Sequence, residues 1–211
     1  KNMKGNPGLP LKAVTIAERL KQADYATACF GKWHLGYRSP LLPTRQGFDV
    51  FRGLLSGDGD HHTQIDRQGE EDWYHNEALS PADGYTAELL TGYAVDFIGD
   101  HRDQPFFLYL SHLAIHFPWQ GPDDPQHREA GINYQKDKFG IIPDPSNVAP
   151  HVDAMLRSFD ESVGGVVDAL DEHGLLENTL VLSQSGERSH GQVSRRIQQV
   201  ARGRVGADGQ Q

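Results

Sequence analysis

The sequence has 211 residues, a single cysteine and a formal net charge of −9 at pH 7. A chain of this length can bury one sizeable core, and one cysteine excludes an internal disulfide bond. The negative charge argues against nucleic-acid binding driven by phosphate contacts, and no apolar run is long enough for a signal peptide or a membrane span. Because the sequence starts at Lys1 rather than at a methionine, we expect it to be a portion of a longer protein.

The first predicted elements are a short helix and a strand that follows it. Thr15 and Glu18 have the spacing of a capping box, in which the threonine oxygen and the glutamate carboxylate bind free amides at a helix start. Apolar residues then recur on one face as far as about Asp24. Residues 26–30 form an apolar run that is typical of a buried strand, and this order of helix and strand favours an α/β fold.

The hexapeptide Gly-Lys-Trp-His-Leu-Gly at residues 31–36 follows that strand directly. Binding and catalytic residues of α/β proteins lie in loops of this kind, just after a strand ends. Because alternate side chains share a strand face, we expect Lys32 and His34 to point the same way and Trp33 the other. A cation and an imidazole on one face suit a small anion. The alternative is a loop with a solvated lysine and a structural histidine.

Residues 37–75 show no sustained period, and we expect them to form a long surface excursion. Within it, residues 57–62 read Gly-Asp-Gly-Asp-His-His, and both aspartate and histidine are metal ligands. The glycines favour turns, and the spacing matches no known cation-binding loop. We therefore expect a solvated acidic turn there rather than a metal site.

A second helix and a second strand are predicted further along the chain. Apolar residues recur at helical spacing over residues 85–98, and Thr86 is a plausible N-cap. Residues 106–110 are apolar on both faces, which predicts a strand in the middle of the sheet. His112 and His116 follow that strand. Two histidines four apart on a helix can bind zinc, but this pair leaves a strand, so we expect both to line the carboxyl edge of the sheet.

The strongest helical pattern in the sequence runs over residues 152–170, and Gly174 is a natural end for that helix. Residues 179–182 then predict the next buried strand. The composition changes at residue 186, because the last 26 residues contain five arginines, two acidic residues and no aromatic residue. Such a segment can bury little apolar surface.

The hexapeptide at residues 31–36 resembles the second signature of the sulfatase family. Further segments are similar to sulfatase sequences and occur in the same order, at residues 8–10, 15–18, 25–27, 43–49, 105–110, 116–118 and 171–179. The resemblance extends from about residue 8 to residue 182 and is nearest to the arylsulfatase and N-acetylgalactosamine-6-sulfatase branch. It implies an α/β fold like that of alkaline phosphatase, with a mixed, largely parallel sheet flanked by helices, which is incomplete in this chain.

The activity that the resemblance implies is the hydrolysis of sulfate esters, either aryl sulfates or sulfated glycans. In the family, a formylglycine is the nucleophile and calcium is the cofactor. By motif, Lys32 would bind a sulfate oxygen, and His34 would hydrogen-bond the formylglycine hydroxyl. His116 would contact the sulfate or assist the leaving oxygen. His61 and His62 are further candidates for contact with the substrate.

Two family motifs are missing from this sequence. Formylglycine is made from the cysteine of a Cys-x-Pro/Ala-x-Arg motif, and Cys29 is followed by neither the Pro/Ala nor the Arg, so we expect that motif to precede Lys1. At the positions of the calcium-binding Asp and Asn, the chain has Gly186 and Glu187, so the calcium-ligand motif is absent.

These departures define the expected organisation. Residues 1–185 would be a partial sulfatase catalytic domain, and residues 186–211 a divergent tail that is disordered or results from a reading-frame slip. A genuine divergent end that binds an acidic partner is the other hypothesis for the tail. We expect the chain alone to be inactive. The alternatives are a pseudo-sulfatase, or a phosphatase or phosphodiesterase of the same superfamily. The exact substrate, the oligomeric state and the compartment of the parent (secreted, periplasmic or lysosomal) stay open.

Overall fold

The structure, a computed structural model, describes residues 8–136 and 147–184. Over these residues the chain forms three α-helices and five strands. In chain order they are α1 (Ile16–Lys21), β1 (Ala26–Lys32), β2 (Val50–Leu54), β3 (Tyr74–His75), β4 (Ala78–Leu79), α2 (Thr86–Asp100), β5 (Phe106–Ser111) and α3 (Val148–Glu172). None of the helices in these two ranges combines the length and the hydrophobicity that a membrane crossing requires.

The strands form one sheet in the order β4-β3-β2-β1-β5. β1 is parallel to both β2 and β5, whereas β3 and β4 add antiparallel pairs. The mixed, largely parallel sheet expected from the sequence is therefore confirmed. Because β1, β2 and β5 run in the same direction, the loops that follow them meet at one edge of the sheet. This carboxyl edge brings residues 33–36, 55–62 and 112–118 together.

The capping box predicted at the start of α1 is present. The Glu18 amide donates to Thr15 Oγ1 at 3.0 Å, and the Thr15 amide donates to Glu18 Oε2 at 2.7 Å. The helix is short, and β1 begins five residues after its end. The local pattern therefore fixes where the helix starts, and the apolar run that follows becomes a strand, as predicted.

Two apolar clusters cover the two faces of the sheet, and β1 contributes to both. Phe30 lies in a cluster with β2 and α2, whose other buried members are Ala28, Leu54, Trp73, Leu90, Ala94, Phe97 and Leu113. Cys29 lies in the other cluster, with Ala17, Trp33, Leu42, Phe48, Phe51 and Leu55. A large apolar side chain contributes about 1.5–3 kcal/mol when it is fully buried. The alternation along β1 therefore secures the sheet from both sides and turns Trp33 away from the first cluster.

Several predictions for the later elements are wrong. β5 lies at the edge of the sheet that the described residues form, and Tyr109 is 46% exposed. Residues 179–182 form no strand, and Leu180 and Leu182 are 78% and 81% exposed. Thr86 does not cap α2; the N-cap is Tyr85. The expected boundary between residues 185 and 186 lies outside the described residues, and it stays a prediction.

The segment between residues 37 and 75 is also not a surface excursion. It contains β2, which pairs with β1 over residues 50–54, and it buries Trp73 in the core. Residues 53–61 are buried throughout. This buried stretch includes the end of β2 and the loop that follows it, and it forms one wall of the carboxyl edge.

Candidate active site

Lys32 and His34 stand at the carboxyl end of β1. Lys32 is the last residue of the strand and lies opposite Leu54 of β2. The pairing continues past the strand, because the Trp33 amide donates to Leu54 O at 2.9 Å and the His34 amide donates to Leu55 O at 3.2 Å. Trp33 is buried in the opposite cluster, and its indole nitrogen donates to Leu41 O at 2.9 Å. This anchor fixes the backbone from which His34 projects.

The imidazole of His34 rests against Gly57. A Cβ atom at residue 57 would lie 2.5 Å from His34 Cε1 and 2.8 Å from Nε2, which is closer than side-chain atoms can approach. Only a glycine therefore leaves room for the ring in this position. His34 itself has a positive φ of 53°, a conformation that costs energy in most residues and is often found at functional sites.

His116 enters the same edge from the loop after β5. Its Nδ1 lies 2.9 Å from the carbonyl oxygen of Phe117. A carbonyl only accepts hydrogen bonds, so Nδ1 carries the proton in this contact and Nε2 keeps its lone pair. The His116 carbonyl in turn accepts a hydrogen bond from His61 Nε2 at 3.1 Å. His61 is 1% exposed, so it contacts the backbone of His116 from the interior.

The electrostatic environment keeps both site histidines neutral near pH 7. Burial is the main cause that lowers the pKa of His34, and the positive charges of Lys32 and Arg67 lower it further. The pKa of His116 is lowered by burial first and then by the same two cations. The negative charge of Asp58 acts in the opposite direction and raises the pKa of both histidines. Because the loops after β1, β2 and β5 meet here, the edge combines the charges of Lys32, Arg67 and Asp58 with two neutral imidazoles.

Asp58 is buried and bound by two arginines. Arg67 Nε donates to Oδ1 at 3.0 Å and to Oδ2 at 3.2 Å, and Nη2 lies 3.0 Å from Oδ1 in the same ion pair. Arg128 Nη2 lies 2.9 Å from Oδ2. Asp58 is 5% exposed and Arg128 is 0% exposed. A buried charge is tolerated when it is paired and hydrogen-bonded, and here one carboxylate joins the loop after β2 to the loop that carries Arg128.

Asp60 is buried as well, and its carboxylate is fully occupied by hydrogen bonds. It accepts them from the backbone amides of His62, Thr63, His127 and Arg128 and from the side chain of Gln120. Burial by itself would raise the pKa of Asp60, but the backbone amides outweigh that effect and the pKa is lowered. The solvated acidic turn expected at this position is therefore wrong. The segment is a buried polar network that holds the loop in one shape.

The described residues do not fit a calcium ion. Asp58 is committed to two arginines, and Asp60 to amide donors. Residues 8–136 and 147–184 hold no group of three or more histidine, cysteine or acidic residues that could bind a metal. The positions that correspond to the family's calcium ligands, Gly186 and Glu187, lie outside the described residues. Calcium therefore has no part in the chemistry assigned to this chain below.

The structure brings together three of the five predicted site residues, namely Lys32, His34 and His116. His62 lies on the loop after β2, where its Nε2 is 3.2 Å from Gly121 O, and His61 lies behind His116. The substrate contacts predicted for these residues stay predictions. His112 is turned away: its Nε2 lies 3.2 Å from Ser162 Oγ of α3.

Arg67 and Arg128 were not singled out from the sequence, and Asp58 was considered only as part of the segment 57–62. Asp58 and Arg67 are nine residues apart in a segment without a period, and Arg128 lies 70 residues beyond Asp58. No local pattern connects them. The only available signal was chemical: a segment rich in aspartate that lies next to a core must have cationic partners somewhere in the chain.

The folded chain should lose stability as the pH falls from 6.5 towards 4. His61 is buried and His112 has a buried Nδ1, and burial lowers the pKa of each to about 4. In the unfolded chain the pKa is about 6.5, so in this window the unfolded state binds more protons and stability rises with pH. For a fully buried ring the shift is worth on the order of 3 kcal/mol.

Urea unfolding at pH 7 and at pH 4.5 checks this expectation. The variant His112→Phe keeps an aromatic ring against Phe159, which His112 contacts edge to face at 5.0 Å, but it cannot be protonated. It should lose less stability on acidification than the original chain. An equal loss in both proteins would show that His112 does not contribute.

The chain is similar to known proteins of one family. A family model described as Sulfatase matches residues 1–197. Arylsulfatase J of Mus musculus is 33% identical over 187 residues, covering 84% of this chain and 29% of that protein. N-acetylgalactosamine-6-sulfatase of Homo sapiens is 28% identical over 190 residues, covering 84% and 33%. The chain thus spans about a third of the length of these relatives.

Solved structures show the same fold. Ps i-CgsB, in a complex with k-i-k-neocarrahexaose, matches with a TM-score of 0.63 and 26% identity, covering 81% of this chain and 39% of that one. The PsFucS1 sulfatase from Pseudoalteromonas sp. matches with a TM-score of 0.53 and 25% identity, covering 79% and 36%. The sheet is therefore the alkaline-phosphatase-like sheet expected from the hexapeptide. On the family match and these relatives together, the chain belongs to the sulfatase family.

Proposed function

We propose that this chain forms the sulfate-binding part of a sulfuric ester hydrolase that acts on aryl sulfates or sulfated glycans. The observation that carries the proposal is the convergence of Lys32, His34 and His116 at one carboxyl edge of the sheet. The names of the relatives, an arylsulfatase and an N-acetylgalactosamine-6-sulfatase, support the two substrate classes. The hexasaccharide complex of Ps i-CgsB favours a glycan.

Each residue has a role that follows from its charge and protonation. Lys32, which is half-buried, supplies the positive charge that offsets the negative sulfate oxygens, and a positioned cation stabilises charge better than water does. His34 supplies a hydrogen bond from a ring whose position Gly57 fixes. His116 presents the lone pair of Nε2, because its Nδ1 proton is bound to the Phe117 carbonyl. A sulfate bound nearby raises the pKa of His116 and lets Nε2 hold a proton for the leaving oxygen.

The nucleophile of the proposed reaction is not Cys29. This residue is fully buried in the cluster that contains Trp33, and burial raises the pKa of its thiol far above the usual range. A buried thiol of this kind is inert. In the proposal, the formylglycine and the calcium ligands of the family are supplied by residues other than those the structure describes. We therefore expect the 211-residue chain to bind a sulfate ester without hydrolysing it.

Binding of phenyl sulfate to the 211-residue chain, measured by titration calorimetry, tests the proposal. Lys32→Ala should weaken binding about tenfold or more, because a charge-assisted hydrogen bond to the sulfate is lost. Lys12→Ala removes an exposed lysine outside the site and serves as the matched control, for which we expect no change.

Two results would contradict the proposal. If Lys32→Ala binds phenyl sulfate as tightly as the original chain, the hexapeptide is not part of a sulfate site. If the chain hydrolyses an aryl sulfate and Lys32→Ala abolishes the hydrolysis, the chain already contains all the catalytic residues. The proposal that the chain only binds the sulfate ester is then wrong.

A further inference from the structure

Arg67 is connected to each site histidine through intervening residues. Its guanidinium carbon lies 5.2 Å from the centroid of the Phe117 ring. The centroids of the Phe117 and His116 rings are 4.2 Å apart. On its other side the guanidinium binds Asp58. Asp58 follows Gly57, the glycine against which His34 rests. The charge of Arg67 also contributes to lowering the pKa of both histidines. Arg67 is thus part of the wall of the same edge, although it lies 35 residues beyond Lys32.

Two arginines of this wall share one carboxylate. Arg67 and Arg128 both form an ion pair with Asp58. Arg128 is fully buried, whereas the side chain of Arg67 is 26% exposed. Of the two guanidinium groups, it is therefore that of Arg67 which an anion in solution can reach. In a chain with a net charge of −9, a local cation next to Lys32 attracts anions to this edge.

Arg67 also has a donor to offer. Its Nε donates to both carboxylate oxygens of Asp58, and its Nη2 lies 3.0 Å from Oδ1. Among the residues that the structure describes, Nη1 has no hydrogen-bond partner. The guanidinium plane is held between the carboxylate of Asp58 and the ring of Phe117. An arginine fixed in this way loses little conformational entropy when an anion binds, and its planar group matches a carboxylate or a sulfate.

We propose that Arg67 is a specificity-determining residue that binds a second anionic group of the substrate, a sulfate or a carboxylate on a sulfated glycan, while Lys32 binds the sulfate ester. The inference rests on the proposed function, because it assigns the substrate class of the same site. It predicts a preference for glycans with two negative groups over those with one.

The preference is measured as a ratio of affinities, by titration calorimetry with the 211-residue chain. The ligands are N-acetylgalactosamine 6-sulfate, N-acetylgalactosamine 4,6-disulfate, and a disaccharide that carries one 6-sulfate and one uronic acid carboxylate. The original chain should bind at least one of the two dianionic ligands about tenfold more tightly than the monosulfate. The dianionic ligand that gains affinity identifies the second group as a sulfate or a carboxylate.

Arg67→Met should reduce this ratio to about one. The ratio separates recognition from folding, because any general loss of the site affects all three ligands alike. Arg67→Lys is the second variant, because it keeps a charge that pairs with Asp58 and so preserves the buried network even if Arg67→Met disrupts it. In Arg67→Lys the affinity ratio should fall several-fold, because lysine lacks the planar donor pair of arginine. Arg157→Met, which removes an exposed arginine of α3 paired only with Asp153, should leave the ratio unchanged.

Two outcomes would overturn the inference about Arg67. One is a ratio near one in the original chain, and the other is a ratio that neither Arg67 variant changes. If all three ligands still bind and binding depends on Lys32, the proposed function survives such a result. If none of the ligands binds the original chain, the proposed function itself fails.

Discussion

Replacing Asp58 with asparagine should destabilise the folded chain by about 3–5 kcal/mol, a large part of the stability of a domain of this size. The substitution keeps the shape of the side chain but removes its charge. Arg128 is fully buried and would lose its ion pair with Asp58, and Arg67 would lose its salt bridge. Breaking a buried ion pair from one side is costly because the remaining ion stays out of water.

The matched control is Asp153→Asn in α3. Asp153 is also paired with an arginine, since its Oδ2 lies 2.6 Å from Nη2 of Arg157, but both side chains are more than half exposed. An exposed pair of this kind contributes about 0.3–0.5 kcal/mol. Urea unfolding of the two variants at pH 7 should therefore give losses that differ about tenfold. Comparable losses would mean that water reaches Arg128 and that the network does not fix the loop.

The elements that the sequence predicted well are those whose signal is local. The capping box at Thr15 and Glu18 involves residues three apart, and both of its hydrogen bonds are present. α3 follows a 3.6-residue repeat of apolar positions and contains the whole predicted range 152–170, although it starts earlier, at Val148. Such patterns describe neighbours on one turn or on one strand face, so the sequence specifies them without knowledge of the rest of the fold.

The wrong predictions concern long-range pairing. β2 was not predicted because Arg52 and Gly53 interrupt its alternation, and its strand conformation depends on pairing with β1. The apolar composition of residues 106–110 indicates burial on two sides, but it does not specify which strand covers the outer edge. Residues 57–62 look like a turn by composition, and what buries them is the loop around Gln120 and Arg128.

The candidate site divides along the same line. The face on which Trp33 is buried, opposite that of Phe30, follows from the two-residue period of a strand and was predicted correctly. The support behind the site was not, because it joins distant parts of the chain: His61 binds the carbonyl of His116, 55 residues away, and Arg128 binds Asp58 across 70 residues. Contacts between residues so far apart leave no periodic pattern in the sequence, so they cannot be predicted until the fold is known.

Replacing Gly31 with alanine should prevent stable folding, or cost more than about 4 kcal/mol. Gly31 has a φ of +109°, a conformation that side-chain-bearing residues rarely adopt. A Cβ atom at this position would lie 1.9 Å from the carbonyl oxygen of Ser111 and 2.7 Å from its carbonyl carbon. Both are backbone atoms of the paired strand β5, so no side-chain rotation can relieve the overlap. The strand itself would have to move.

Gly92→Ala is the control that separates the clash from a general effect of glycine replacement. Gly92 lies inside α2, and a Cβ atom there would meet nothing within 4 Å. Alanine is the better helix former, so this variant should gain about 0.5–1 kcal/mol. Thermal or urea unfolding of the two variants should therefore shift in opposite directions. A Gly31→Ala variant as stable as the original chain would show that β1 and β5 can separate at that point. The first glycine of the hexapeptide would then be there for loop flexibility. On the geometry described, it is there because β1 and β5 approach too closely for a side chain, one residue before Lys32 has to be placed.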